Sequence, residues 1–263
     1  MRGDFGISER LVRTSVFRLA ADGWLEAHPV GRRSYYGLTD VGRARFEQAT
    51  QRIYGAPKRA WSGEWCVVLV AGVPSTSRDE LRRELVWLGF GTVGSNLLAH
   101  PSPDHAQLEQ VLAKLGLADD AIVITGRSAG TSQDSTLREL AKKSWDLDGI
   151  AERYGEFVTA FRPAARAVEK GGSVAAKTAF QLRTLLIQDY RKILLRDPLL
   201  PVDLLPEPWP GHAAYDLCRT LYRRIYAAAD RHLGESMETI DGPLPAPTRE
   251  FFTRFGGLDS RSR

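Results

Sequence analysis

The stretch that decides the fold begins at Ser8, where residues 8–43 read SERLVRTSVFRLAADGWLEAHPVGRRSYYGLTDVGR. The Ser8 side chain can cap a helix, and an acidic Glu9 suits the positive end of the helix dipole. The helix is predicted over Glu9–Ala21 and ends at Asp22-Gly23, where glycine accepts a left-handed conformation. An amphipathic helix therefore opens this stretch.

A basic hairpin and a second helix follow the first helix. The sequence predicts short strands over Trp24–Pro29 and Ser34–Leu38, joined by the turn Val30-Gly31-Arg32-Arg33. Thr39 can cap the next helix, which Asp40-Val41-Gly42-Arg43 opens. Helix, strand, basic turn, strand and helix, in this order, indicate a winged helix whose wing arginines contact the DNA backbone or the minor groove.

The first helix carries two different faces. Val12, Val16 and Leu19 recur at spacings of four and three, which predicts a buried stripe. Basic and polar side chains form a separate stripe that can enter a major groove, although ordinary surface helices also carry exposed arginines. The predicted DNA-binding side chains are Ser8, Arg10, Arg13, Thr14, Phe17, Arg18, Arg32, Arg33 and Tyr35.

A helix-turn-helix needs a supporting helix before its recognition helix, and only seven residues precede Ser8. Phe5-Gly6-Ile7 is typical of the end of a helix and the turn after it. We therefore expect the winged helix to be incomplete at its amino terminus. In that case Val12, Val16 and Leu19 lack part of the surface that would pack against them.

Length, composition and charge narrow the class of protein. A chain of 263 residues with 43% hydrophobic and 26% charged residues is typical of a globular protein of about two domains. Residues 1–60 hold 11 of the 36 basic side chains but only 6 of the 32 acidic ones, so the net charge of +4 is concentrated there. Phosphate is the usual partner of such a patch, although solvated surface arginines give the same count.

The same composition argues against membrane and secreted classes. No apolar run approaches the roughly 18 residues that span a membrane, and the amino terminus has no apolar signal segment. Cys66 and Cys218 lie far apart and form neither a metal-ligand cluster nor a disulfide framework. We therefore expect a cytoplasmic protein.

The middle of the chain predicts a ferredoxin-like domain, after a linker at residues 50–64. The β-α-β-β-α-β order rests on a strand at 65–70, a helix at 78–88, strands at 90–93 and 96–99, a helix at 104–115 and a strand at 121–125. His100 and His105 lie in or beside a loop and are predicted at the surface.

A turn-rich linker at residues 126–135 leads into a helical region. Apolar side chains three or four apart predict buried stripes on helices 177–195 and 213–233, with Cys218 packed inside. The segment 197–211 between them contains five prolines that forbid a continuous helix, and we expect it to pack against the helices or a second subunit. The fold class predicted is α+β multidomain, with domains at 1–54, 61–127 and 136–263.

Four segments together resemble the PaaX family, repressors of phenylacetic acid degradation in bacteria. They are Gly6–Leu19, Gly31–Tyr36, Gly91–Leu97 and the loop Asp197–Gly211. The resemblance covers nearly the whole chain and implies an N-terminal winged helix, a central domain like the small CRISPR-associated ferredoxin-like nuclease, and a helical C-terminal domain. It also implies a homodimer that an aromatic acyl-CoA, phenylacetyl-CoA in the type case, releases from operator DNA. Family members carry a further helical pair before the position of Ser8.

An acyl-CoA effector needs apolar walls for its acyl group beside cations for its phosphates. The helical region supplies both, although core aromatic residues and solvated cations are the alternative interpretation. The predicted ligand-binding side chains are Trp145, Tyr190 and Trp209 for the acyl group and Lys177, Arg183, Arg191 and Lys192 for the phosphates.

A metal-dependent nuclease in the ferredoxin-like domain is the competing function. Such an enzyme needs a carboxylate near the end of its first strand to hold a divalent ion. Residues 67–74 contain none, and Asp79 already belongs to the next helix. We therefore expect a regulator whose partners are double-stranded operator DNA, an acyl-CoA and a second copy of the chain, with no catalytic residue, metal, cofactor or membrane.

Overall fold

The computed structural model describes residues 5–31, 33–56, 61–127, 134–171 and 173–258. The chain is a mixture of helices and antiparallel sheets, which agrees with the predicted α+β class. It groups into two compact units. The first contains Met1–Ala56, Thr159–Arg191 and Tyr215–Arg263, and the second contains Pro57–Val158 and Lys192–Ala214. The three domains predicted from the sequence, at 1–54, 61–127 and 136–263, remain a prediction, because this division into two units does not test them.

The described helices and strands are as follows. The helices are α1 (Glu9–Ala21), α2 (Asp40–Tyr54), α3 (Ser75–Trp87), α4 (His105–Leu115), α5 (Asp134–Ser144), α6 (Leu147–Glu169), α7 (Ala176–Leu194) and α8 (Pro210–Ser236). The strands are β1 (Leu25–Val30), β2 (Arg33–Leu38), β3 (Glu64–Leu69), β4 (Gly91–Gly94), β5 (Leu97–His100), β6 (Ile122–Arg127), β7 (Glu238–Thr239) and β8 (Gly242–Pro243). Short 3-10 turns lie at Val202–Leu204 and Arg249–Gly256. None of these described helices is long and apolar enough to cross a membrane.

Local capping sets the bounds of the first two helices. Helix α1 runs over Glu9–Ala21 as predicted, and the Ser8 hydroxyl accepts the Leu11 N–H at 3.3 Å. Thr39 caps α2 by accepting the Gly42 N–H at 3.0 Å. Each hydroxyl accepts an N–H of the first helical turn, for which the helix has no carbonyl four residues earlier.

The predicted buried stripe on α1 is wrong. Val12 and Leu19 are exposed and Val16 is partly buried, and no residue of this helix is buried. Spacing identifies which side chains share a face of a helix, but it does not identify what covers that face.

Helix α2 continues into the predicted linker because its last turn packs into an aromatic cluster. Ile53 is buried, and the Tyr54 ring lies 5.6 Å from Tyr222 and 5.2 Å from Phe255. The Arg254 guanidinium stacks 4.3 Å from the Tyr54 ring and donates to the Tyr222 hydroxyl at 2.8 Å. Burial raises the pKa of Tyr54. Ile53 and Tyr54 therefore pack into the first unit. Residues 57–60 of the predicted linker lie outside the described ranges.

The two helices with predicted apolar stripes lie close to their expected bounds. Ala179, Leu186 and Tyr190 are buried on α7, and most of the stripe on α8 is buried. Cys218 is fully buried as predicted, and burial raises the pKa of its thiol. The α7 and α8 helices are also joined by Arg183, which donates to Asp230 at 2.7 Å.

The second unit contains the predicted β-α-β-β-α-β order. Its four strands are antiparallel in the order β4-β5-β3-β6, and helices α3 and α4 contribute to the core. The buried side chains of that core are Cys66, Val68, Val70, Val73, Leu81, Leu85, Phe90, Leu98, Leu108, Leu112, Leu117 and Ala121. The predicted linker at 126–135 is wrong at its ends, because Gly126 and Arg127 belong to β6 and α5 begins at Asp134. Residues 128–133 lie outside the described ranges.

The glycine at the start of β4 makes room for an indole ring. A Cβ placed on Gly91 would lie 2.5–2.8 Å from atoms of the Trp145 ring. The Trp145 indole N–H donates to the Gly89 carbonyl at 2.8 Å. The residue that follows α5 is thereby fixed against the sheet.

The proline-rich loop is anchored by buried polar groups. Asp197 is buried, and it accepts the Tyr154 hydroxyl at 2.6 Å and the Leu199 N–H at 2.7 Å. The surface prediction for His100 is wrong, because its ring is buried. His100 Nδ1 accepts the Ser102 N–H at 2.9 Å, so the other ring nitrogen donates to the Pro198 carbonyl at 3.1 Å.

The rest of this loop packs as expected. Leu200, Leu204, Leu205 and Trp209 are buried, and the 3-10 turn contacts α5. Helix α8 begins inside the predicted loop, at Pro210, where a proline lacks only an N–H that the first turn does not use.

The contact between Gly91 and Trp145 predicts a large effect from a single methyl group. We expect Gly91→Ala to lower the free energy of unfolding by about 1–3 kcal/mol, because the added Cβ forces a well-packed ring to shift. Urea unfolding followed by circular dichroism measures this. The matched control is Gly94→Ala on the same strand, whose Cβ would meet Leu97 at an ordinary 3.6 Å. Equal losses in the two variants would contradict the packing argument.

Candidate nucleic-acid interface

The exposed face of α1 carries the predicted recognition residues. Arg10, Arg13, Thr14 and Arg18 are exposed, and the Phe17 side chain is 73% exposed. Arg13 pairs with Glu9 at 2.5 Å, one helical turn earlier. Exposed pairs of this kind contribute little stability and exchange easily with other anions.

Two hydroxyls of this face have local hydrogen-bond partners. The Thr14 hydroxyl donates to the Arg10 carbonyl at 2.9 Å, and the Ser8 hydroxyl caps the helix. Ser8 therefore has a structural role, and the Thr14 hydroxyl must turn from Arg10 to donate to another acceptor. Its methyl group remains available for apolar contact.

The hairpin brings a cation to its tip. Strands β1 and β2 pair antiparallel, with Val30 opposite Arg33 and His28 opposite Tyr35. The Arg33 guanidinium donates to the Glu238 carboxylate on β7, and the Tyr35 hydroxyl donates to the same oxygen at 3.5 Å. The pKa of Arg33 is raised, mainly by its hydrogen bond with Tyr35 and next by the charge of Glu238. Arg32, also predicted to bind DNA, lies outside the described residues.

A close backbone contact sets the angle between α1, the hairpin and α2. The Thr39 hydroxyl donates to the Gly23 carbonyl at 2.6 Å, and the Thr39 N–H donates to the Trp24 carbonyl at 3.2 Å. A Cβ on Gly42 would lie 2.2 Å from the Trp24 carbonyl oxygen. The Arg45 guanidinium covers the Trp24 ring at 5.0 Å. The local motif therefore needs both threonine and glycine at these positions.

This arrangement can bind phosphates by exchanging one anion for another. Arg13 and Arg33 each hold a carboxylate on an exposed surface, and a DNA phosphate offers the same oxygen acceptors. Glu238 lies 205 residues from Arg33, so the sequence contains no signal for this pair. The described part of the predicted DNA-binding set lies in the first unit.

The predicted ligand-binding residues of the first unit are partly committed to packing. Arg183 is nearly buried and paired with Asp230, and Tyr190 is buried. Arg191 is exposed and donates to Gln188 at 3.2 Å, and Lys177 is exposed with a partner of its own.

The remaining three lie in the second unit. Trp145 is half-buried against Gly91, Trp209 is buried with its ring 6.0 Å from Tyr154, and Lys192 is exposed. The assignment of these seven side chains to an effector stays a prediction.

Residues that could support metal chemistry are not brought together in the described part of the chain. No group of three or more His, Cys, Asp or Glu side chains lies within reach of one ion there. Asp79 is a residue of α3, as the sequence predicts.

Comparisons with known proteins match most of the chain in three consecutive parts. Residues 1–42 match the model of the PaaX-like protein family, residues 58–138 that of the PaaX protein central Cas2-like domain, and residues 145–235 that of the PaaX-like protein C-terminal domain. The transcriptional repressor PaaX of Escherichia coli strain K12 is 37% identical over 255 residues, which cover 97% of this chain and 81% of that protein. Among solved structures, the uncharacterized protein Rv0674 from Mycobacterium tuberculosis is similar, with a TM-score of 0.52, 26% identity and 86% of each chain covered.

The ion pair at the hairpin tip predicts that removing one carboxylate strengthens DNA binding. We expect Glu238→Gln to bind duplex DNA severalfold more tightly and with a salt slope steeper by about one, because Arg33 then meets a phosphate without losing a partner. Fluorescence anisotropy at several salt concentrations measures both quantities. The control is Glu235→Gln, an exposed carboxylate on α8 that makes the same change in net charge. Identical salt slopes in the two variants would show that Glu238 does not compete with DNA.

Proposed function

Because this chain belongs to the PaaX family, we propose that it is a DNA-binding transcriptional repressor of phenylacetate-type catabolism, and not an enzyme. The observation that carries the proposal is the exposed basic face of α1 beside a hairpin with Arg33 at its tip. The relative in Escherichia coli is named a transcriptional repressor, and the same three parts of the family occur in this chain in the same order.

The first 54 residues act as the winged helix. Helix α1 enters the major groove, where Arg13 reaches a guanine edge or a phosphate and Thr14 and Phe17 offer apolar contact. The hairpin is the wing, and Arg33 contacts the backbone next to the groove. Phosphates replace Glu9 and Glu238 as partners of the two arginines, so binding depends strongly on salt.

The repressor acts as a homodimer. One recognition helix reads only a few base pairs, which discriminates poorly across a genome. Two copies related by a two-fold axis double the contacts and require half-sites about 34 Å, or a multiple of that distance, apart.

An aromatic acyl-CoA is the signal that releases the DNA. The exposed Lys177 and Arg191 of the first unit meet its phosphates, and Tyr190 of the same unit lies near the acyl group. Release requires that the ligand bind the conformation without DNA more tightly than the conformation with DNA. The coupling is therefore reciprocal between the two sites.

The recognition role of α1 predicts a base-specific loss of affinity. We expect Arg13→Ala and Thr14→Ala each to weaken binding to an operator, selected from random duplex DNA with this chain, by about 1–3 kcal/mol and to relax sequence preference at one position. Anisotropy titrations with single-base variants of the operator measure this.

Two further variants separate base reading from backbone contact. Arg33→Ala should flatten the salt dependence and leave sequence preference unchanged, because a wing contact to phosphate carries no base information. Arg249→Ala removes one exposed cation elsewhere in the first unit and is the control. If Arg13→Ala, Thr14→Ala and Arg33→Ala all bind the operator like the parent chain, the winged-helix proposal is wrong.

The effector role predicts a reciprocal effect of DNA on ligand affinity. We expect phenylacetyl-CoA to bind the free chain more tightly than the operator complex, by the same factor by which it weakens operator binding. Isothermal titration with and without operator measures that factor. Arg191→Ala should weaken ligand binding, and Arg196→Ala, which removes an exposed cation five residues further along the chain, is the control. Equal affinity in both states would reject this thioester as the effector.

A further inference from the structure

The outer strand of the four-stranded sheet is an open edge. Strand β6 pairs with β3 without a break, from Glu64 opposite Arg127 to Leu69 opposite Ile122. In the sheet order it is the last strand, so its other row of backbone N–H and C=O groups has no strand partner among the described residues. All six of its residues are exposed.

This edge lacks the features that usually prevent pairing. Exposed edges are commonly protected by lysine, proline or a bulge. Strand β6 reads Ile122-Val123-Ile124-Thr125-Gly126-Arg127, with three β-branched aliphatic residues in succession and a regular register. Its sequence therefore favours further strand pairing.

The face of the sheet beside this edge is apolar and exposed. Ile122 and Ile124 lie opposite Leu69 and Val67, and their side chains are 57% and 49% exposed. Leu97, opposite Leu69 on the other side of β3, is 37% exposed. An apolar stripe that reaches an unpaired edge is typical of an interaction surface.

We propose that β6 pairs antiparallel with β6 of a second copy of this chain, about a two-fold axis at Val123, and forms a continuous eight-stranded sheet. The proposal rests on the dimer proposed above and names its interface. With the axis at Val123, Ile122 of each copy lies opposite Ile124 of the other copy. The apolar stripe therefore becomes continuous across both copies.

The charges at the two ends of the strand fit the same register. Asp119 lies in the turn before β6 and Arg127 at its end, and both are exposed. With the axis at Val123, Asp119 comes next to the partner's Arg127, and the symmetry repeats this pair. In an antiparallel pair, directly opposite residues point to the same face of the sheet. The nearest alternative registers therefore have their two-fold axis at Ile122 or at Ile124.

The neighbouring registers are less favourable. An axis at Ile122 sets Asp120 opposite the partner's Ile124, and an axis at Ile124 sets Ile122 opposite the partner's Gly126. Each keeps only the single isoleucine pair on its own axis, in place of the two pairs about Val123, and loses the match between Asp119 and Arg127. Self-complementarity in one register favours a second copy of the chain over another protein as the occupant of this edge.

A cysteine on the proposed axis tests the register directly. In Val123→Cys the two thiols would face each other with Cα atoms about 4.5–5.5 Å apart, within the range of a disulfide. We expect mild oxidation of the full chain to give a covalent dimer on a non-reducing gel. The matched control is Thr125→Cys, two residues along the same edge, whose copies would lie about 13 Å apart and stay unlinked.

The native thiols do not interfere with this experiment. Cys66 and Cys218 are buried. Burial first, and the charge of Glu64 second, raise the pKa of Cys66 to about 11, and burial raises that of Cys218. Both therefore remain protonated thiols near neutral pH and react slowly.

A charge exchange tests the ends of the strand. Sedimentation equilibrium should show that Asp119→Arg and Arg127→Asp each raise the dimer dissociation constant at least about tenfold, through repulsion between like charges, and that the double variant recovers the parent value. Circular dichroism checks the fold of each variant, because Glu64 lies opposite Arg127 on β3.

The outcomes separate this interface from the proposed function. A covalent Val123→Cys dimer together with recovery in the double variant supports it. A dimer that neither cysteine links and neither charge variant weakens overturns the edge pairing and leaves the dimer intact. If Ile124→Lys dissociates the dimer but Val123→Cys forms no disulfide, the two copies pack face to face. That result also overturns the edge pairing. A monomer at micromolar concentration, with and without operator, overturns both the interface and the proposed dimer.

Discussion

The proposed nucleic-acid face depends on the close approach of α2 to the backbone at Trp24. Only glycine fits at position 42, because a Cβ there would lie 2.2 Å from the Trp24 carbonyl oxygen. Thr39 completes the contact by capping α2 and donating to the Gly23 carbonyl at the end of α1. These short-range bonds set where the hairpin leaves α1 and therefore where Arg33 lies relative to the basic face of that helix.

The arginines of this face are held by carboxylates of the same chain. Glu9 belongs to α1 itself, whereas Glu238 belongs to a strand beyond α8. Exposed pairs are weak and screened by salt, so they hold an arginine in place without preventing exchange with phosphate. The pair with Glu238 also links the hairpin tip to the C-terminal part of the first unit. In the proposed DNA complex, a change in the position of that part would alter how freely Arg33 reaches a phosphate.

The second unit is organised by contacts between segments that are far apart in sequence. Trp145 packs over Gly91, and His100 and Tyr154 bind the first residues of the proline-rich loop. These contacts explain two of the segments that resemble the family: Gly91 leaves space for the ring, and Asp197 accepts the hydrogen bonds that begin the loop. The outer strand β6 stands apart from this network, since all of its side chains are exposed.

The sequence by itself determined the features that depend on neighbours along the chain. Capping at Ser8 and Thr39 placed the starts of two helices, and apolar spacing identified the stripes of α7 and α8, because helix caps and periodicity act within a few residues. Only the tertiary structure decided what covers each face. Val12 is exposed, His100 is buried and Arg33 is paired with Glu238, because burial and ion pairing depend on residues that the fold brings from distant positions.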